Sequence, residues 1–338
     1  MSGSIRKQPI DHAGAVVALD ASVRKPSAHE VLVRVASIGI SAYDELWRLS
    51  PITAKTRLPT GMGQEIAGVV VAIGDAVTDL APGDKVASFS SEDSYQYVLY
   101  GEHIVLPRSA LTTYPHVLSA AQASVHYTSM LLAYFAYVDL AKTKAGATVL
   151  VTDASQCAGP AFIQMGKALG FNIIAATKDS DDRQRLLDLG AQSVVVTEEQ
   201  DLIQRVNKLT DGKGVNAIFD GLGGSQMNLL VDALAPCGSM VLYGLKEGEK
   251  TPFPAQEAFQ KNIKFYIHCL SNFTGRADLG IEQNHEALQR GLDVINQLTL
   301  EGALTSRVDK VFPYEKASFA QRYIDEFSMI GRVVLQVS

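Results

Sequence analysis

Hydrophobic and polar positions change their rhythm along this chain. Up to about residue 110 the apolar positions form short β-branched runs, VLVRV at 31–35 and AGVVVAI at 67–73. Bounded by Gly, Pro or Asp, such runs predict strands. Residues 75–86 (DAVTDLAPGDKV) carry the Pro-Gly-Asp turn chemistry of a small irregular barrel. After residue 119 the character changes. Residues 120–141 predict one long helix, and from 148 short apolar strands alternate with amphipathic stretches. The predicted strands are 148–152, 172–177, 193–196, 217–220, 239–243 and 263–269, with helices such as 181–189 and 201–209 between them. That alternation implies a parallel, doubly wound sheet with right-handed crossovers. A helix at about 284–301, a turn at Gly302, a helix at 317–327 and a strand at 332–336 complete the pattern.

Composition narrows the class. With 338 residues the chain suits two domains of roughly 150 residues each. Apolar residues at 47% and charged residues at 20% are ordinary for a soluble globular protein. A formal charge of -6 without a Lys/Arg cluster gives no reason to expect a nucleic-acid partner. Cys157, Cys237 and Cys269 are scattered, with no CxxC pair, and read as reduced, mostly buried thiols of a cytoplasmic protein. The N-terminal residues lack the apolar stretch of a secretory signal, and no run approaches the ~18 apolar residues of a membrane span.

The most informative stretch is 147–170, ATVLVTDASQCAGPAFIQMGKALG. Val149, Leu150 and Val151 run into a small-residue turn, and Phe162, Ile163, Met165 and Leu169 then repeat at helical spacing. In such a strand–turn–helix a dinucleotide pyrophosphate rests on backbone N–H groups and the positive end of the helix dipole. The G-x-G-x-x-G positions read Ala154, Gln156 and Gly159, so only the third glycine is literal; an ordinary βα turn is the alternative.

With PSAHEVLVRVASIGIS (26–41), GMGQEIAGVVVAIGDAV (61–77), PGDKV (82–86), LGAQSVV (189–195), DGKGVNAIFDGLGG (211–224) and GRVVLQV (331–337), the chain resembles the medium-chain dehydrogenase/reductase superfamily. It is closest to the zinc-free, quinone oxidoreductase-like branch, over nearly its full length. The resemblance implies an α/β protein with a Rossmann doubly wound parallel sheet domain (126–270) and an irregular GroES-like β-barrel catalytic domain (1–125 and 271–338). Its active site is then expected in the cleft between the domains, and the strand near Ile263 and Cys269 is expected to join two copies as a homodimer.

The superfamily's alcohol dehydrogenases carry a Cys where this chain has Ser41 and a His where it has Gln64. A hydroxyl and an amide are poor zinc ligands, Glu65 alone cannot make a site, and the lobe of four cysteines is missing. Catalytic zinc is therefore not expected. Hydride delivery to an activated small-molecule electrophile, a quinone or an α,β-unsaturated carbonyl, needs no such Lewis acid.

At the end of the second cofactor-domain strand, NAD-preferring relatives carry an acid where this chain has Thr177. Lys178, Ser180 and Arg183 follow and can contact a 2′-phosphate, so NADPH is expected in preference to NADH. Against this stand Asp179, Asp181 and Asp182, which also suit a solvated helix start. The resemblance further places Ala154, Ser155, Gln156, Cys157, Ala158 and Gly159 on the pyrophosphate, and Gly221, Leu222, Gly223, Tyr243 and Gly244 beside the cofactor.

For the chemistry, Tyr43 is either a proton donor or a wall of the pocket. Ser41 and Gln64 are candidates to bond the acceptor, and Tyr127, next to His126, to line its pocket. A lone His on an apolar helix, such as His126, is more often a satisfied core residue. Relatives carry a Tyr-Pro loop a few residues past the Arg48 position, where this chain reads RLSPITAKTRLP without a tyrosine. The expected activity is an NADPH-dependent, zinc-independent reductase. A pathway-specific enoyl reductase and a catalytically silent NADPH-binding sensor or structural protein are the alternatives.

Overall fold

The computed structural model describes residues 5–7, 19–21, 24–40, 65–90, 101–245, 250–276, 279–326 and 332–337. The chain divides into two compact units. One comprises Met1–Thr128, Leu270–Leu300 and Thr305–Ser338; the other comprises Ser129–Cys269 and Glu301–Leu304.

In chain order the strands are β1 (Ile5–Lys7), β2 (Leu19–Ala21), β3 (Glu30–Ile40), β4 (Glu65–Ile73), β5 (Lys85–Ser88), β6 (His103–Pro107), β7 (Leu111–Thr113), β8 (Thr148–Val151), β9 (Asn172–Thr177), β10 (Ser193–Val196), β11 (Val215–Asp220), β12 (Leu234–Leu242), β13 (Lys264–Ile267), β14 (Val308–Pro313) and β15 (Arg332–Gln336).

The first unit holds the short antiparallel pair β1–β2 and a seven-stranded sheet ordered β14-β15-β3-β4-β5-β7, with β6 also paired to β3. Alternation in β3 drives its core: Val31, Val33 and Val35 point inward and pack with Ile38, Ile66, Val70, Val86, Leu106 and Val333. Across β3, which lies between them, the buried Glu65 of β4 is paired with the Arg332 guanidinium of β15.

The second unit is a six-stranded sheet ordered β10-β9-β8-β11-β12-β13. Every neighbour pair in it is parallel. Numbered from its own first strand, the order is 3-2-1-4-5-6, the doubly wound Rossmann arrangement. Its strands are short and apolar because helices cover both faces. On one face Leu150, Ile174, Val195, Ile218 and Met240 pack with Val206, Met227 and Leu230. On the other face Tyr137 packs on Phe219 (4.3 Å between ring centroids) and Phe171 (4.9 Å), and its hydroxyl donates to the Phe162 carbonyl at 3.0 Å.

Helix starts carry their signals. Asp201 accepts a hydrogen bond from the Gln204 N–H at 2.8 Å and caps Leu202–Leu209. Asp201→Ala is expected to cost about 1 kcal/mol in a denaturant melt; an unchanged midpoint would show that this cap contributes nothing.

The predicted single helix over 120–141 is broken. A capped turn at Ala120–Ala123 is followed by a helix at Tyr127–Phe135 and a π-turn at Ala136–Leu140. At the break, Val125 and His126 donate to carbonyls three residues back, and the His126 ring turns aside to bond Thr299 and Ser306. β12 starts five residues earlier than predicted, because Leu234 pairs with Val215 before a register shift. β13 is shorter than predicted, since the His268 ring leaves the strand line to bond the Leu132 carbonyl at 2.9 Å. Cys157, Cys237 and Cys269, expected to be mostly buried, are exposed, because Cys157 lies in the turn after β8, Cys237 at the register shift in β12 and Cys269 just past the end of β13.

Candidate cofactor site

In an open parallel sheet, ligands bind beyond the carboxyl ends of the strands, where the strand order reverses. Here the reversal falls between β8 and β11. Four segments converge on it: the turn after β8, the end of β9, the glycine loop after β11 and the end of β12.

The turn after β8 is tightly wound. Asp153 (φ 50°) and Cys157 (φ 45°) both adopt left-handed backbone, which costs energy in non-glycine residues and persists only where the surroundings over-determine it. The Gln156 N–H donates to the Asp153 carbonyl (3.1 Å) and the Gly159 N–H to the Gln156 carbonyl (2.8 Å). Gly159 opens the helix Gly159–Ala168, which has Pro160 in its first turn and no acid there. A Cβ on Gly159 would lie 2.6 Å from the carbonyl oxygens of both Asp153 and Ala154. The one literal glycine of the motif therefore lets the helix end sit directly on its own turn.

A chain of hydroxyls ties this turn to β9. The Ser155 and Thr177 hydroxyls lie 3.0 Å apart, and Thr177 donates to the Asp182 carboxylate at 3.2 Å. Arg185 spans the same junction, donating to Asp182 and to the Ser155 carbonyl, both at 3.0 Å. Sequence reasoning took Asp182 as an acid of a solvated helix start and did not pick out Arg185. Their signal was an i,i+3 acid–base pair at a helix start, and nothing local marks Arg185 as a brace to residue 155.

Lys178 lies 3.4 Å from Glu198, both well exposed, and Arg183 donates to Glu199 at 2.8 Å. Ser180 opens the turn Ser180–Asp182 that leads into Arg183–Leu189.

Beyond β11, Asp220 is the organising acid. It accepts from the Thr152 hydroxyl, from the N–H groups of Gly223 (3.0 Å) and Leu222 (3.4 Å), and from the Gln226 amide (3.4 Å). Burial nevertheless raises its pKa above the usual carboxylate value. Asp153, half-buried nearby, is raised to about 6, first by burial and then by the charges of Asp220 and Asp182.

Gly221 and Gly244 meet backbone to backbone. A Cβ on Gly244 would lie 2.3 Å from the Gly221 carbonyl oxygen. The Tyr243 ring stacks on Phe162 at 4.2 Å, and its hydroxyl donates to the Thr152 carbonyl at 3.4 Å. Burial holds that phenol protonated far above its ordinary range. Its side chain thus braces the crevice floor, leaving only its backbone for a ligand.

The candidates for chemistry are distributed differently. Ser41, Tyr43 and Gln64, with Asp44, Trp47 and Arg48, lie outside the described residues. Tyr127 is buried in the first unit and donates to the Asn296 side chain at 2.6 Å. Burial and then Tyr114 raise its pKa. Beside it, His126 is a satisfied core residue. Thr299 donates to the Ile295 carbonyl at 2.6 Å, so its oxygen accepts from His126 Nε2 at 2.9 Å. Nδ1 then accepts from Ser306 at 2.9 Å.

Two family models match the chain: "Alcohol dehydrogenase GroES-like domain" over residues 27–115 and "Zinc-binding dehydrogenase" over 157–280. The quinone oxidoreductase-like protein 2 homolog of Nematostella vectensis is 31% identical over 317 residues, covering 90% of this chain and 81% of that one. The chain belongs to the medium-chain dehydrogenase/reductase superfamily, as a quinone oxidoreductase-like member.

The chain is also similar to the synaptic vesicle membrane protein VAT-1 homolog of Rattus norvegicus, 26% identical over 319 residues, covering 92% of this chain and 77% of that one. The solved structure of Escherichia coli quinone oxidoreductase complexed with NADPH superposes with a TM-score of 0.84, at 23% identity, over 98% of this chain and 99% of that one. The GroES-like and Rossmann domains expected of the superfamily are both present.

The crevice residues fit a nicotinamide dinucleotide. The strand order, the helix end closed onto its turn by Gly159 and the glycine loop at 221–224 are the features such a ligand requires.

Proposed function

We propose that this oxidoreductase passes hydride from NADPH, in preference to NADH, to a small electrophilic acceptor, a quinone or an α,β-unsaturated carbonyl compound, without zinc. The observation that carries the reading is the Gly159-closed turn at the β8–β11 reversal. When bound, the dinucleotide supplies a hydride donor. In this reading the segment 154–159 holds its pyrophosphate, and the backbone of Gly221, Leu222, Gly223, Tyr243 and Gly244 borders the ring that reacts.

NADPH is favoured because Thr177 is neutral where an acid would claim the ribose 2′-OH. Lys178 and Arg183 are held only by exposed ion pairs with glutamates. Pairs of that kind are worth about 0–1 kcal/mol, so a 2′-phosphate can displace them. The charge of Asp182 is already engaged by Arg185.

On the acceptor side, Ser41 and Gln64 are proposed to bond the reducible oxygen and Tyr43 to return a proton to it. The Tyr127 hydroxyl is committed to Asn296, which leaves it a wall. The names of the relatives support quinones as the acceptor class. A homodimer through β13 and a cytoplasmic location complete the proposal; no helix among the described residues is long and apolar enough to cross a membrane.

The test is nicotinamide oxidation with a panel of quinones and enals, before and after chelator treatment. Steady, chelator-resistant NADPH consumption is expected. Activity lost to chelator and restored by zinc contradicts the zinc-free chemistry. Coenzyme binding without turnover across the panel makes the protein a silent nucleotide binder instead.

A further inference from the structure

The crevice contains more acid than its proposed ligand calls for. Asp153, Asp182 and Asp220 converge on the turn that is to receive a pyrophosphate, and neighbouring donors bond the carboxylates of Asp182 and Asp220. Asp220 is saturated by four donors. Asp182 is bonded by Thr177 and Arg185. Asp153 opens the turn itself, in left-handed backbone, with its carbonyl against Gly159 at the start of the helix.

From this geometry we infer that a dinucleotide binds this turn with uptake of a proton at Asp153, so that coenzyme affinity weakens as pH rises. The inference rests on the dinucleotide reading above. A pyrophosphate on the helix start brings two negative charges to the segment that Asp153 begins. Those charges oppose a carboxylate there, whereas a protonated carboxyl carries no charge and can donate a hydrogen bond to a phosphate oxygen.

The charged groups that act on Asp153 are themselves acids. Asp220 comes from the end of β11 and Asp182 from the approach to Arg183–Leu189, and both raise its pKa; the Tyr243 phenol at the end of β12 stays protonated and adds no charge. The nearby cation Arg185 is engaged by Asp182 and the Ser155 carbonyl. In the free protein Asp153 titrates at about 6, from burial first and then the two aspartates. It is therefore largely ionised at neutral pH. A bound anion raises that value further, and between the free and bound values binding takes up a proton.

The experiment compares NADPH affinity for the wild type and Asp153→Asn between pH 5.5 and pH 8.5, roughly the span over which a group of pKa ~6 changes charge. The 2′-phosphate of NADPH also titrates near 6, but it does so against both proteins and cancels in their ratio. In the wild type the dissociation constant is expected to rise by up to about tenfold per pH unit above pH 6 relative to the variant. The variant is expected to bind more tightly than the wild type at pH 8, by on the order of tenfold.

Calorimetry on the wild type, in buffers of different ionisation heat, reads the proton directly and needs no variant to fold. Net uptake at pH 7 with NADH, whose pyrophosphate does not titrate there, supports the assignment. Identical pH slopes for the two proteins, or no proton uptake, overturn it. Failure of both proteins to bind either coenzyme at any pH contradicts the dinucleotide reading itself.

Discussion

Gly159→Ala is expected to weaken NADPH binding by one to two orders of magnitude and to lower the stability of the cofactor unit. The added methyl would enter at 2.6 Å from two carbonyl oxygens, those of Asp153 and Ala154. Neither oxygen belongs to a side chain that can swing away. Relief requires the helix start to withdraw from its turn, and forcing extra methyl volume into a packed site costs about 1–3 kcal/mol. The same withdrawal separates the helix dipole from the place of the pyrophosphate. Fluorescence titration gives the affinity and a thermal melt gives the stability. A variant that binds NADPH like the wild type would show that the turn is not the phosphate site.

Acid is expected to destabilise the protein well above the ordinary carboxylate range. His126 and His268 are buried neutral, and burial lowers the pKa of each from 6.5 to about 4. The sign follows from proton counting. An unfolded chain protonates these rings at about 6.5, whereas the folded chain holds them neutral until about 4. Stability is therefore full above pH 6.5 and declines as pH falls toward 4. The gap, at about 1.4 kcal/mol per pH unit, gives on the order of 3 kcal/mol for each ring. His126 acts on the first unit and His268 on the second, so both units are expected to lose stability. Urea midpoints followed between pH 7 and pH 4, roughly the span of the two titrations, measure the decline. His126→Asn should flatten the part that belongs to the first unit. A wild-type stability that stays constant over this range contradicts the buried, neutral assignment.

The doubly wound sheet was legible where its strands are short apolar runs, as in β8, β9 and β10. The runs at 172–177 and 193–196 coincide with β9 and β10. That legibility is physical: parallel strands covered on both faces must be apolar throughout, so their ends show as abrupt changes in polarity. The break at 124–126 was not legible, because the groups that cause it, Thr299 and Ser306, are distant in sequence and fold back onto His126. The same holds for Glu65 and Arg332, whose pairing depends on β3 lying between β4 and β15.

At the cofactor site, Gly159 and the glycines after β11 were readable as backbone requirements. Arg185 was not: its role appears only when residue 155 is brought beside the helix that carries it. Asp153 was passed over in the sequence, because an acid in a turn acquires its meaning only beside Asp182 and Asp220.

The most direct test of the central claim is a fluorescence titration of the purified protein with NADPH and with NADH. Saturable binding is predicted, tighter for NADPH and weakened by Gly159→Ala. No association with either coenzyme would contradict the account.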